Sequence, residues 1–201
     1  MNKILSILII SFTMNSCKEN DKVSIDKIDL TQSKKFFFND ANLMSEANEI
    51  NTTLNFIYTN EVNRFKYGSV EFVNSNPDDM VLSKIGVLTK EPNNEKIEGI
   101  VLSIEDTQES IAILNELKKI NGEPKVLKPI PAENDEGQLL GYSTYVWILQ
   151  NDLAIVASQS YEYTDGVRSI ASLIYIVSNK VRTTQANSPE LVIDRLIKTY
   201  N

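Results

Sequence analysis

YSTYVWILQNDLAIVASQSYEYTDGVRSIASLIYIV, residues 142–177, is the stretch whose reading decides the fold. It is dense in aromatic and β-branched side chains, which suit a pleated surface. Two turn signals divide it. Asn151-Asp152 makes a tight turn between Tyr142–Leu149 and Leu153–Tyr163. Asp165-Gly166 is the hairpin dipeptide, because a type I′ turn needs positive φ at both central residues. It leads into Arg168–Val177. Three strands in antiparallel succession are expected.

Upstream of them, Asp106 to Ile120 reads as a helix. Asp106-Thr107-Gln108-Glu109 has the form of a capping box with Asp in the cap position. Ile113, Leu117 and Ile120 share one face, widened by Leu114, and acids at the start with Lys118-Lys119 at the end complement the helix dipole. Gly122 is placed to take a left-handed terminating conformation, and Pro124 prevents continuation. Residues 128–141, with two prolines and two glycines around Glu133-Asn134-Asp135-Glu136, read as a loop. Downstream, Ser188-Pro189-Glu190 has the order of a cap, a first-turn proline and a first-turn acid. Val192, Ile193, Leu196, Ile197 and Tyr200 then form the apolar stripe of a closing helix.

The first half reads similarly. Leu43, Ala47, Ile50, Leu54 and Ile57 recur at steps of four and three, the spacing of one helix face, with Asn39 or Asp40 as the cap. Asn51-Thr52-Thr53 in the middle are poor helix formers, so a switch to a strand near Leu54 is the alternative. Tyr67–Val73, Met80–Leu88 and Ile97–Ile104 read as an antiparallel meander, joined through the turn signals at 74–79 and Pro92-Asn93-Asn94. Phe36-Phe37-Phe38 reads as an element packing into the core, with an exposed aromatic patch as the other reading. The order is helix, three strands, helix, three strands, helix. The expected fold class is α+β, an antiparallel sheet in two sets of about three strands packed with helices.

The N-terminus carries an address. Lys3 precedes an apolar run from Ile4 to Met14, interrupted by Ser6, Ser11 and Thr13, and then comes Met14-Asn15-Ser16-Cys17. The run is well short of the ~20 apolar residues of a membrane-spanning helix and has the form of a signal peptide. Ser16-Cys17 resembles the end of a lipobox; Met14 stands where Leu is usual, and Asn15 departs from the small-residue preference. The resemblance to bacterial lipoproteins implies removal of residues 1–16 and acylation of Cys17 through sulfur. The junction followed by Lys18-Glu19-Asn20-Asp21-Lys22 resembles lipoproteins of the Bacteroidetes group. That implies an outer-membrane anchor, facing the periplasm or exposed on the cell surface. Residues 17–35 would be a lipidated tether that ends in a short strand, and residues 36–201 a single domain. A second resemblance rests on Gly122-Glu123-Pro124 and Tyr145-Val146-Trp147. A helix ending in Gly-x-Pro, then a strand bearing an aromatic and Trp, then two hairpin-linked strands, is similar to the small lipoproteins of the SmpA/OmlA type, which are shorter than this chain.

Composition bounds the chemistry. The chain has 201 residues, a net charge of −7, one cysteine and no histidine. An acidic balance argues against nucleic acid as a partner and against electrostatic docking on anionic lipid. Cys17, the lone cysteine, leaves no disulfide framework, and lack of histidine removes the commonest general base and metal ligand. Nucleophilic Ser–His or Cys–His sets are impossible. Ser83-Lys84 and Ser33-Lys34 lack the Ser-x-x-Lys spacing that puts both side chains on one helix face. No phosphate-cradling glycine loop is present, so no cofactor is implied. Carboxylate pairs remain: Asp78-Asp79, Glu105-Asp106 and Asp135-Glu136. Each also reads as ordinary turn, cap or loop chemistry. Glu133 to Gly137 offers oxygen ligands but not the alternating acids of a calcium loop. No catalytic or metal site is assigned, and Cys17 is the single site residue. The function expected is a membrane-anchored envelope lipoprotein with a non-enzymatic binding or accessory role toward a protein, peptide or glycan partner. Tyr161 and Tyr163 beside the Asp165-Gly166 hairpin are a candidate contact edge, with cross-strand packing as the other reading. The alternative is a carboxylate-dependent, glycan-active hydrolase.

Overall fold

The computed structural model describes residues 22–48, 52–75, 81–127, 130–133, 139–164, 167–184 and 189–200. In chain order the elements are β1 (Val23–Ser24), α1 (Lys34–Phe38), β2 (Met44–Asn48), β3 (Leu54–Thr59), β4 (Phe65–Tyr67), β5 (Val70–Glu71), β6 (Lys84–Thr89) and β7 (Gly99–Ile104). Then follow α2 (Thr107–Asn121), β8 (Lys125–Val126), β9 (Ile130–Glu133), β10 (Leu139–Ile148), β11 (Leu153–Thr164), β12 (Val167–Ser178) and α3 (Val192–Thr199). None of the described helices is long and apolar enough to cross a membrane.

The architecture corrects the expected α+β class. The described residues are mainly β, organised on one antiparallel sheet of nine strands in the order β2-β3-β6-β7-β12-β11-β10-β8, with β9 also on β10. The two sets of strands expected from the sequence are halves of this one sheet, joined where β7 pairs with β12. A small mixed sheet, β1-β4-β5, lies apart from it.

The largest local correction is at 43–57, where the helix periodicity gives way to a hairpin. β2 and β3 pair from Met44↔Tyr58 to Asn48↔Leu54. The apolar positions that seemed to share a helix face belong to different strands. Leu43, Met44 and Ala47 are exposed, whereas Leu54, Phe56 and Ile57 are buried. The Asn51-Thr52-Thr53 weak point is where the chain turns: Thr53 has φ 59°, and the buried Thr52 hydroxyl accepts the Leu54 N–H at 3.3 Å. Ile50 lies outside the described residues. Two further readings also change. Tyr67–Val73 is not one strand, because Gly68 at φ 57° folds β4 back onto β5. The loop expected at 128–141 contains β9 and the start of β10, paired from Leu139↔Glu133 to Tyr142↔Ile130.

Both faces of the large sheet are covered. On one, Ile57, Ile85, Ile100, Leu102, Trp147, Ile155 and Ile174 pack under α2, through Ile113 and Leu117, and under the N-terminal segment, through Ile25, Phe37 and Phe38. On the other, Leu54, Val101, Val146, Val156, Tyr175 and Val177 pack under α3, through Val192, Ile193 and Leu196. A strand buried on both faces loses the polar–apolar alternation of a half-exposed one. That is why Leu153–Val156 and Leu173–Val177 read as continuous apolar runs. Gly86 lies at the tightest point of the sheet, where a Cβ would come within 2.1 Å of the Ile57 carbonyl oxygen.

α2 starts as its sequence dictates, the Asp106 carboxylate accepting the Glu109 N–H at 2.8 Å. Its end differs. Gly122 has φ 79° but ψ −167°, so the chain leaves in an extended, glycine-favouring conformation rather than the left-handed one expected. α3 begins at Val192, so Pro189 and Glu190 precede it instead of forming its first turn; Ser188 lies outside the described residues. Asp165-Gly166 also does, although the flanking strands pair through to Thr164↔Val167.

Candidate functional site: a serine-lined groove

β11 and β12 are 12 residues each, longer than the helix that covers them. Beneath α3 their side chains are Ala154, Val156, Tyr175 and Val177. Further along the same face the side chains shrink and turn polar: Ser158 and Ser160 on β11, Leu173, Ala171 and Ser169 on β12. Small side chains leave a depression in the sheet surface. Its volume is about 390 Å³, and Ser103, Glu105, Tyr142, Val81 and Tyr200 complete its walls.

Hydroxyl groups dominate this groove. The Thr144 hydroxyl donates to Ser158 Oγ across the β10–β11 pair at 3.3 Å. The Ser103 hydroxyl donates to a Glu105 carboxylate oxygen at 3.0 Å. The Ser160 and Ser169 hydroxyls make no hydrogen bond to another described residue. At one end the Tyr142 and Tyr200 rings meet edge to face, centroids 5.8 Å apart. Burial, then the neighbouring Tyr175 phenol and its hydrogen bond, push the Tyr200 hydroxyl far above its ordinary pKa, so it stays a neutral phenol. Among the described residues Glu105 is the one carboxylate lining the groove, and no described lysine or arginine lines it.

The floor is held from behind. On the opposite sheet face the buried Gln159 amide donates to the Ser110 carbonyl at 2.7 Å and to Ser172 Oγ at 3.1 Å. The first turns of α2 are thereby tied to the same segment of β11 and β12 that carries the serines.

The residues singled out in the sequence fall elsewhere or separate. Glu105 and Asp106 do not face each other: Asp106 caps α2 while Glu105 turns to Ser103 and the groove. Asp78-Asp79, Asp135-Glu136 and Glu133–Gly137 lie outside the residues whose side chains are described, and so does Cys17. Among the described residues no cluster of three or more acidic, histidine or cysteine side chains could hold a metal ion. Ser83 is buried and its hydroxyl accepts the Glu105 N–H at 3.0 Å, whereas Lys84 reaches Glu46 at 3.2 Å. Lys34 donates to the Pro92 carbonyl, and Ser33 bridges to Lys96. Tyr161 is engaged with Tyr145, whose hydroxyl is pushed up in pKa by burial and then by Tyr161; the Tyr163 side chain is outside the described set. Sequence reading missed the serines. Their signal was present as the alternate-residue pattern Ser158-x-Ser160 and Ser169-x-Ala171, small side chains at period two inside an apolar strand.

No family model, curated protein or solved structure matches the chain.

Proposed function

We propose that this chain is an envelope lipoprotein of bacterial type, acylated on Cys17 and held at the outer membrane, whose domain is a non-enzymatic binding module for a neutral glycan. The lipobox-like Ser16-Cys17 junction supports the anchor, and the serine-lined groove is the observation that carries the binding role. The groove floor is made of central strands. β11 is laddered on both sides, to β10 and to β12, whereas β12 pairs with β7 only from Ser172 to Val177, so Ser169–Ala171 pair with β11 alone. A peptide strand would need an unpaired edge to bond to. On that short stretch the Ile170 N–H is already given to Thr107 Oγ1, and the polar side chains lining the groove are, Glu105 aside, hydroxyls that both donate and accept, which suits a polyol. Tyr142 and Tyr200 add ring surface of the kind that packs on a sugar. The described lining carries the Glu105 carboxylate and no cation, which favours a neutral ligand over an anionic one.

The test is titration of the purified mature chain with neutral glycan fragments, observed by amide NMR. Shifts confined to β11, β12 and the C-terminus, lost in Ser160→Asp, are expected. Shifts scattered over the surface, or release of new reducing ends from the glycan, would overturn the reading, the second in favour of a hydrolase.

A further inference from the structure

The chain enters the folded domain at once. Val23 and Ser24 pair in parallel with β4, and Ile25 is buried beneath the large sheet. Five peptide steps separate Cys17 from Lys22. Whatever their conformation, they reach no more than about 18 Å. An acylated Cys17 therefore holds the surface around Val23 close to the bilayer.

That surface has its own chemistry. In α1, Phe37 and Phe38 are buried, and Phe36 points the other way with 62% of its surface exposed. Beside Phe36 lies a shallow concavity bordered by Lys22, Val23, Lys27 and Ile28. Residues 22–38 carry four lysines against two aspartates, in a chain whose net charge is −7. Lys22 is paired with Glu71. Lys27 and Lys35 form no ion pair with any described residue. An apolar ring beside ammonium groups that no described carboxylate neutralises is the combination that binds the headgroup region of an anionic bilayer.

We propose that this face docks on the phospholipid surface in which the acyl chains are held, with Phe36 entering the headgroup layer and Lys27 and Lys35 facing anionic phosphates. The proposal rests on acylation of Cys17. Its consequence is orientation. The N-terminal segment covers the sheet face of Ile57 and Ile155, and the serine groove opens on the face of Val156 and Tyr175. A domain docked through Phe36 presents the groove away from the membrane.

The chain has one cysteine, so an introduced cysteine in the acylated protein is the only free thiol. Bimane is attached at Phe36→Cys, or at Asp194→Cys on the exposed side of α3. The full lipidated chain is placed in phosphatidylcholine–phosphatidylglycerol vesicles doped with headgroup spin-labelled lipid. Bimane at position 36 should lose most of its emission and bimane at 194 little. Lys27→Glu with Lys35→Glu should restore emission at 36. Equal quenching at both positions, or none at 36 in protein whose Cys17 acylation is verified by mass spectrometry, overturns the docking while leaving the anchor. An unmodified Cys17 overturns the anchor reading, and the docking with it. Circular dichroism of Phe36→Cys verifies the fold, which an exposed side chain does not support.

Discussion

The indole N–H of Trp147 donates to the carbonyl oxygen of Gly122 at 2.8 Å. One bond thus fastens β10 to the end of α2, and it joins the two short motifs that stood out in the sequence, Gly-Glu-Pro and Tyr-Val-Trp. Trp147 is buried in the core shared with α2, whereas Gly122, at the end of the helix, is exposed.

Trp147→Phe keeps an aromatic ring and removes the donor. The expected loss is about 0.5–1.5 kcal/mol, the net worth of one hydrogen bond whose acceptor can turn to water. Urea denaturation followed by circular dichroism measures it. An unchanged midpoint would mean that the Gly122 carbonyl finds another donor.

Gly122→Ala isolates backbone strain. A Cβ at this position would meet nothing within 4 Å, yet φ 79° with ψ −167° is a conformation that favours glycine strongly. A loss of about 1–3 kcal/mol is expected from strain alone. A neutral result in the same denaturation experiment would show that the α2–β8 connection relaxes.

Gly86→Ala tests the opposite situation, a steric one. The added Cβ would lie 2.1 Å from the Ile57 carbonyl oxygen and 2.6 Å from Tyr58 Cα. Backbone cannot step aside as a side chain can, so β3 must separate from β6, at a cost of about 3 kcal/mol. Hydrogen exchange should show β2 and β3 losing protection before β11 and β12. Uniform loss across the sheet would sink this assignment.

Gln159→Leu removes the buried amide that ties α2 to the groove floor. Ser172 Oγ lies 3.5 Å from the Ser110 carbonyl and recovers part of the lost bonding. The expected cost is about 1–2 kcal/mol, accompanied by NMR shift changes at Ser158 and Ser160. Unperturbed serines would show that the floor needs no support from behind.

Glu116 gives the pH dependence. The Lys119 ammonium, then the Ser69 N–H, hold its carboxyl below the usual carboxylate range. A lowered folded-state pKa stabilises the protein when the group is ionised. The contribution is complete above the unfolded value near ~4.3 and is lost as pH falls through the folded one. Glu116→Gln should therefore melt lower than the parent at neutral pH, with the gap closing in acid. A gap that stays constant down to about pH 2 would overturn the charge-based account.

Legibility followed the range of the interactions. α2 was readable because its cap, dipole charges and closing glycine are local: Asp106 reaches only to Glu109. The β10–β12 hairpins were readable because each turn sits between the strands it joins. The 43–57 segment was misread because a spacing of three and four is also what two short strands produce when each contributes a few apolar residues. Only the pairing Met44↔Tyr58 shows which strand each residue belongs to. The groove was hidden for a related reason. Ser103 and Ser169 are 66 positions apart and become neighbours only because β7 pairs with β12.

By itself the sequence determined a chemistry without histidine or disulfides, the capped helix α2 and the long hairpins, and it holds the lipobox-like Ser16-Cys17 junction on which the proposed anchor rests. All of these depend on residue identity or on contacts a few positions apart. The tertiary structure alone decided that the strands form one mainly β sheet covered on both faces. It also decided that Phe36 faces out while Phe37 and Phe38 face in, and that serines from distant strands line one groove. Those outcomes depend on long-range strand pairing. A two-residue side-chain period along each strand constrains that pairing but does not specify its partner.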